Sequence, residues 1–384
     1  MIKKFALVLI ACSFISLIKF NHCRVNDFAS PDNYVHACYT DIPALFGERD
    51  LINNTWPYLS ATNSMEYPPV IGLGNWLISF ITPNENSYRW FFDLNTLLLI
   101  CCFIAIAYLL KKMRPQYMYL FPLAPAVVAS LFINWDLWAV ITALLAIYYF
   151  EEKRYEASAI SLALAISTKF FPVVLILPVA IIFWRNKQLR QLRSYLFTAG
   201  LFWSAINLPI IATSFGGWWR FFKLNLERNS DFGSFWFALN LLGIETPGIN
   251  DFYSLITIAA FALLAYFLIK VEKTPTLSEI AFFVVVIFTT TSKVYSPQYV
   301  LWLTPLAVIA LRNKKQLSAF WIWQATEMIY HLAIWQYLAL NQGAEYGLPA
   351  GGYAIAILLR IGGTAWFTYK LASDFHRSPA PISR

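Results

Sequence analysis

Apolar residues dominate the chain in long runs, and the polar positions between them gather into a few clusters. The runs at 5–20, 67–83, 89–110, 117–133, 137–150, 157–184, 194–212, 252–270, 279–311, 317–340 and 354–372 read as helices in lipid. Basic clusters punctuate them at Lys3–Lys4, Lys111–Arg114, Lys153–Arg154, Arg185–Arg193, Lys270–Lys273, Arg312–Lys315, and Arg377 with Arg384. Placing every cluster in the cytoplasm requires an even number of crossings between successive clusters. Between Lys4 and Lys111 stand three runs, so one of them does not cross. The weakest is 67–83, which opens on two prolines and carries two glycines and an asparagine. It is assigned to an interfacial or re-entrant helix on the outer side. The prediction is an all-α, polytopic bundle of about twelve membrane passages with both termini inside.

Two of these runs are too short for the task set them. Residues 157–184 leave and re-enter the cytoplasm, yet a helix of that length reaches only about 42 Å, and two crossings need about 60 Å. Residues 279–311 repeat the problem. The turns STKFFP at 167–172 and TTTSKVYSPQY at 289–299 are therefore expected partway through the membrane, where irregular backbone is tolerated only against protein or a water-filled cavity. Each turn carries a lysine, Lys169 and Lys293, and a buried ammonium in a membrane is a candidate for an anionic ligand or an ion pair. The remainder folds as one integral-membrane domain over 1–384, with outer loops at 21–88 and 213–251.

Composition agrees: 384 residues, 59% hydrophobic and 13% charged. The formal charge of +8 would suggest nucleic acid in a soluble chain, but cytoplasmic loops of membrane proteins concentrate Lys and Arg, so no nucleic-acid partner is inferred. Of five cysteines, Cys12, Cys101 and Cys102 lie in apolar runs. Cys23 and Cys38 share the first outer loop, where a disulfide is open to them. Residues 1–20 resemble a signal peptide without a small-x-small cleavage site and read as an uncleaved first helix.

The first outer loop holds most of the candidate chemistry. Asp41 in YTDIPALF is a candidate general base or, alternatively, the N-cap of a short helix with Pro43 in its first turn. Glu66 and Tyr67 precede the prolines of EYPPV, and Asp136 in the NWD turn carries the same capping alternative. In the second loop, Trp218, Trp219, Arg220, Lys223 and Arg228 read as an interfacial belt or as cations for a phosphate. Tyr295 and Gln298 adjoin Lys293. Gln324, Glu327 and His331 align on one face of a single span, fitting either a cavity wall or interhelical hydrogen bonds, and Arg360 could pair with Glu327. No HExxH, Walker A, dinucleotide turn or Cys/His cluster is found, and neither a metal nor a cofactor is expected.

The order YTDIPALF, EYPPV, NWD, STKFFP, KVYSPQYVLW and WQATEMIYHLAIWQY resembles the polyprenyl-phosphate-sugar-dependent glycosyltransferases of the GT-C superfamily, in particular glycosyltransferase family 87, the mannosyltransferases of actinobacterial envelopes. The resemblance implies an inverting transferase in the plasma membrane, with its active site facing outward. It would move a hexose, mannose by preference, from a polyprenyl-phosphate donor to a glycolipid or polysaccharide acceptor. Asp41 matches the family's base. Lys169 and Lys293, then Arg220 and Arg228, are expected to hold the donor phosphate, and Glu66, Tyr67, Asp136, Tyr295, Gln298, Gln324, Glu327 and His331 the sugar or acceptor. A transporter or flippase of an anionic or lipid-linked substrate is the alternative, since it too uses broken helices and charge at midplane.

Overall fold

The computed structural model describes residues 2–373, so Arg377 and Arg384 lie outside the described residues. Helix α1 (Ile2–Val25) turns Leu7, Ile10, Phe14 and Ile18 outward and buries Phe5, Leu9 and Phe20, the division expected of a helix with lipid on one side and protein on the other. The loop that follows contains α2 (Asp32–Val35) and α3 (Asp41–Glu48) before α4 (Pro69–Phe80). A Cys23–Cys38 disulfide ties the end of α1 to the strand of chain entering α3. Arg24 grips Asp93 through two nitrogens, at 2.7 and 2.6 Å, which pins this corner to α5 (Ser87–Met113). Helix α4 starts at the proline pair, as Pro at its first position allows, and its 12 residues are too few to cross a bilayer.

The run 117–133 is broken, contrary to its reading as one span. Short helices α6 (Leu120–Leu123) and α7 (Pro125–Ser130) meet at Ala124, whose extended backbone is the conformation demanded before Pro125. Helix α8 (Asp136–Glu151) then pairs with α9 (Tyr155–Thr168), and α9 gives way at Lys169 to a 3-10 turn, Phe171–Leu175, and α10 (Ile176–Arg185). The break falls where the sequence places it.

Helix α11 (Leu189–Glu227) changes the expected second loop. It runs on through 213–227, with one non-helical residue, Ser214, at a kink. The kink lets its second half lie against the first outer loop: Trp56 donates to Ser214 Oγ at 3.1 Å, and a Cβ on Gly217 would sit 2.0 Å from the carbonyl oxygen of Tyr58. Only glycine permits that approach. After α12 (Phe235–Leu241) and α13 (Ile249–Lys270), α14 (Leu277–Thr291) stops before Lys293. The chain resumes through a 3-10 turn into α15 (Val300–Ala310). Helices α16 (Leu317–Asn341) and α17 (Ala350–Ser373) close the bundle as an antiparallel pair. Helices α1, α5, α11, α13 and α17 are long and apolar enough to cross a membrane, and shorter apolar helices fill the space among them.

Candidate active site

The two helix breaks and the loop between α1 and α4 meet around a cavity of about 690 Å³. Its walls include Tyr39, Asp41, Glu66, Tyr67 and Asn134, the lysines Lys169 and Lys293, Arg228, Asp231, Gln298 and Trp302, and the apolar Trp219, Phe222, Leu226 and Phe288.

Asp41 is presented by its helix without serving as its cap. Thr40 takes that role, its side chain accepting from Ile42 N at 3.2 Å, while Asp41 N donates to the carbonyl of Ile133 at 2.8 Å. The carboxylate is thereby left to face the cavity. Its Oδ2 accepts from Asn134 Nδ2 at 3.3 Å and, at the limit of hydrogen-bonding distance, from Tyr67 Oη at 3.5 Å. Burial raises the Asp41 carboxyl to about 6. The Asn134 hydrogen bond and the Lys169 charge oppose that rise, and the charge of Glu66 adds to it. Burial and the neighbouring Asp41 charge push the Tyr67 phenol well above its ordinary value, so it is a neutral donor.

Asp136 is not a cap either. Asn134 Oδ1 accepts from Asp136 N at 3.0 Å, so this one side chain links both aspartates. Asp136 is fully buried and does not line the cavity: Oδ1 accepts from Lys169 Nζ at 2.6 Å and from Trp302 Nε1, and Oδ2 has no partner among the described residues. The Lys169 ammonium also faces the ring of Tyr67 at 4.9 Å and that of Trp302 at 5.6 Å. Among the described residues Asp136 is its only hydrogen-bond partner, so two of its three N–H directions are open while it lines the cavity.

Lys293 is held differently. Its Nζ donates to the carbonyls of Leu226 at 3.2 Å and Arg228 at 2.7 Å and to Asn250 Oδ1, all neutral oxygens. Next to it the 228–234 segment locks onto the break: Asp231 N donates to Lys293 O at 2.8 Å and Tyr295 N to Phe232 O at 3.3 Å. Gly233, at φ +78°, turns the chain where a Cβ would lie 2.1 Å from Tyr295 O. Arg228 pairs with Asp231.

Several expected residues stand elsewhere. Tyr295, in the break after α14, and Gln324, Glu327 and His331, on one face of α16, do not line the cavity, because their side chains are buried in protein. Glu327 accepts from Arg360 Nε at 2.8 Å, Trp323 Nε1 at 3.1 Å and Tyr295 Oη at 3.1 Å. Arg360 in turn donates to the carbonyls of Tyr295 and Ser296 and lies over two tyrosine rings. Gln324 donates to Thr304 Oγ1 at 3.1 Å, and His331 sits between Ser130 and Trp335. These contacts hold helices together. Arg220 is outside the walls too, drawn with Arg49 to Glu66 at 3.6 and 2.7 Å. The cavity therefore gathers Asp41, Glu66, Tyr67, Lys169, Arg228, Lys293 and Gln298 from the expected set and adds Tyr39, Asn134, Asp231 and Trp302.

No family model matches the chain, and no curated protein matches it. Among solved structures, the crystal structure of ArnT from Cupriavidus metallidurans bound to undecaprenyl phosphate superposes with a TM-score of 0.50 at 13% sequence identity, covering 97% of this chain and 77% of that one. The likeness is one of fold. The chain is an all-helical bundle with the fold of ArnT. Nearly the whole chain takes part in the superposition.

Proposed function

We propose that the protein is an inverting glycosyltransferase that takes a sugar, mannose in the first instance, from a polyprenyl-phosphate carrier and delivers it to a glycolipid or polysaccharide acceptor at the outer face of the plasma membrane. The observation that carries this is a carboxylate raised to about 6, Asp41, in the wall of a cavity that Lys169 and Lys293 also line. The GT-C-type fold and the undecaprenyl phosphate of the ArnT structure agree with it.

Asp41 takes the proton of an acceptor hydroxyl as its oxygen attacks the anomeric carbon. The bond from that carbon to the phosphate oxygen breaks on the opposite face, with inversion. The electron pair leaves on the lipid phosphate, so no general acid is needed. Charge gathering on the phosphate is met by the open N–H groups of Lys169 and the positive field of Lys293, fixed in place before the reaction. The tail has an apolar route past Trp219 and Leu226, which are 40% and 58% exposed beside the cavity.

The test is transfer from radiolabelled polyprenyl-phosphate-mannose in membranes containing wild-type protein or Asp41→Asn, with extracted envelope lipid as acceptor. Asp41→Asn preserves shape and removes the base, so the expected result is a loss of about 10²- to 10⁴-fold with donor binding retained. Full activity in the variant would exclude Asp41. If wild-type protein moves no sugar from any polyprenyl-phosphate donor, the transferase reading fails.

A further inference from the structure

Away from the cavity walls, beside the Cys23–Cys38 disulfide in sequence, three side chains converge that the proposed transfer does not use. His22 lies in the last turn of α1, Asp32 opens α2 and His36 ends it. His22 Nε2 stands 2.7 Å from Asp32 Oδ2, and His36 Nδ1 stands 3.0 Å from Asp32 Oδ1. The three donor atoms fall within 4.8 Å of one another. All three side chains are partly open to solvent, at 41%, 37% and 46% exposure, which leaves room for a further ligand such as water.

We propose that His22, Asp32 and His36 bind a first-row transition-metal dication, of which Zn²⁺ is the representative, as a structural clip on the first outer loop. Two imidazoles and one carboxylate form a donor set suited to zinc and its neighbours, whereas calcium and magnesium take oxygen ligands. The imidazole rings lie 3.7 Å apart between centroids and within 31° of parallel. The backbone beneath is already tied, because Cys23 follows His22 directly and Cys38 lies two residues beyond His36. Asn26 Nδ2 donates to Asp32 Oδ2 at 3.2 Å and so orients the carboxylate; it also lies 3.1 Å from His22 Nε2, a contact that metal ligation would replace. Nearby Arg24 is turned away into Asp93, so no guanidinium competes for the position. Asp41 stands five residues after His36, so the clip would fix the chain that delivers it.

The experiment uses full-length protein with its disulfide intact, stripped with chelator and titrated with Zn²⁺, read by calorimetry, metal content and the melting temperature. Wild type is expected to take up one zinc ion per chain and to melt at a higher temperature with it. His22→Gln and His36→Gln should each lose both effects while keeping the wild-type metal-free melting temperature. Co²⁺ bound to wild type should show ligand-field bands without a thiolate charge-transfer band. Absence of zinc uptake by wild type, uptake unchanged in both variants, or a thiolate band pointing to a free cysteine would each overturn the site. None of these readouts depends on sugar transfer, so they stand or fall apart from the proposed activity.

Discussion

The two interrupted helix pairs, α9 with α10 and α14 with α15, each place a lysine at a break, and the two lysines are provided for in opposite ways. Lys169 is compensated in charge by Asp136, but two of its N–H directions are open. Lys293 is nearly spent as a donor on two carbonyls and Asn250, but those neutral oxygens leave its charge standing. Hydrogen-bonding capacity and net charge are thus separate resources, and an anion in this cavity would draw one from each break. The Glu327–Arg360 pair has neither to offer: its charge is cancelled and its hydrogen bonds are occupied by Trp323, Tyr295 and Ser296.

Removing Lys169 should do the most damage. Lys169→Met strands the fully buried Asp136 carboxylate, a loss of about 3–5 kcal/mol by the usual cost of breaking a buried pair, read as a large drop in melting temperature. Adding Asp136→Asn should restore the fold, yet polyprenyl-phosphate binding should remain lost, because the open N–H groups are still absent. Restored binding in the double variant would show that Lys169 matters only as the partner of Asp136.

Lys293→Met leaves no acid unpaired and should be milder in stability. It should weaken donor binding by about 10- to 100-fold, the range of a hydrogen bond or contact to a charged group.

The lysines should also separate in the pH profile. With Asp41 as the proposed base, transfer should fall as the pH drops through about 6 and its carboxylate is protonated. The Lys169 charge is among the groups that hold the Asp41 carboxyl down, so the Lys169→Met/Asp136→Asn variant should move residual activity's acidic limb upward, whereas Lys293→Met should leave it in place. Stability carries the opposite sign. A carboxyl raised from 3.8 to about 6 on folding favours the native state at low pH, and this advantage is lost as pH rises through about 6. Asp41→Asn should therefore gain thermal stability over wild type between 3.8 and about 6 and keep that gain above it. The smallest effect is expected from Asn134→Ala, which removes one hydrogen bond that lowers the Asp41 carboxyl: a slight upward move of the same limb and a few-fold loss of rate at pH 6.

These distinctions mark what a linear reading reaches. The breaks at Lys169 and Lys293 were legible because apolar runs too short for two crossings contain polar residues and proline. The Glu327–Arg360 pair was foreseeable as two opposite charges in neighbouring apolar helices. Periodicity shows which residues share a helix face, not what that face meets, and so the stripe of Gln324, Glu327 and His331 could not be assigned between cavity and core. The continuation of α11 through 213–227 was hidden by Gly216, Gly217 and a cluster of aromatics, a loop-like composition that in fact serves a close backbone crossing. Asn134 was missed for a different reason: it acts by joining Asp41 and Asp136, and the first of these lies 93 residues away.

Helix α13 carries Asn250 to Lys293 and Tyr253 and Thr257 to the cavity wall, yet almost none of its apolar length is buried against protein. Solvent of another kind must complete that side. In a bilayer the acyl chains would meet that face, and their thickness and packing would set how firmly α13 stands. A detergent that strips the annular lipid should therefore loosen α13 and, with it, the hold of Asn250 on Lys293.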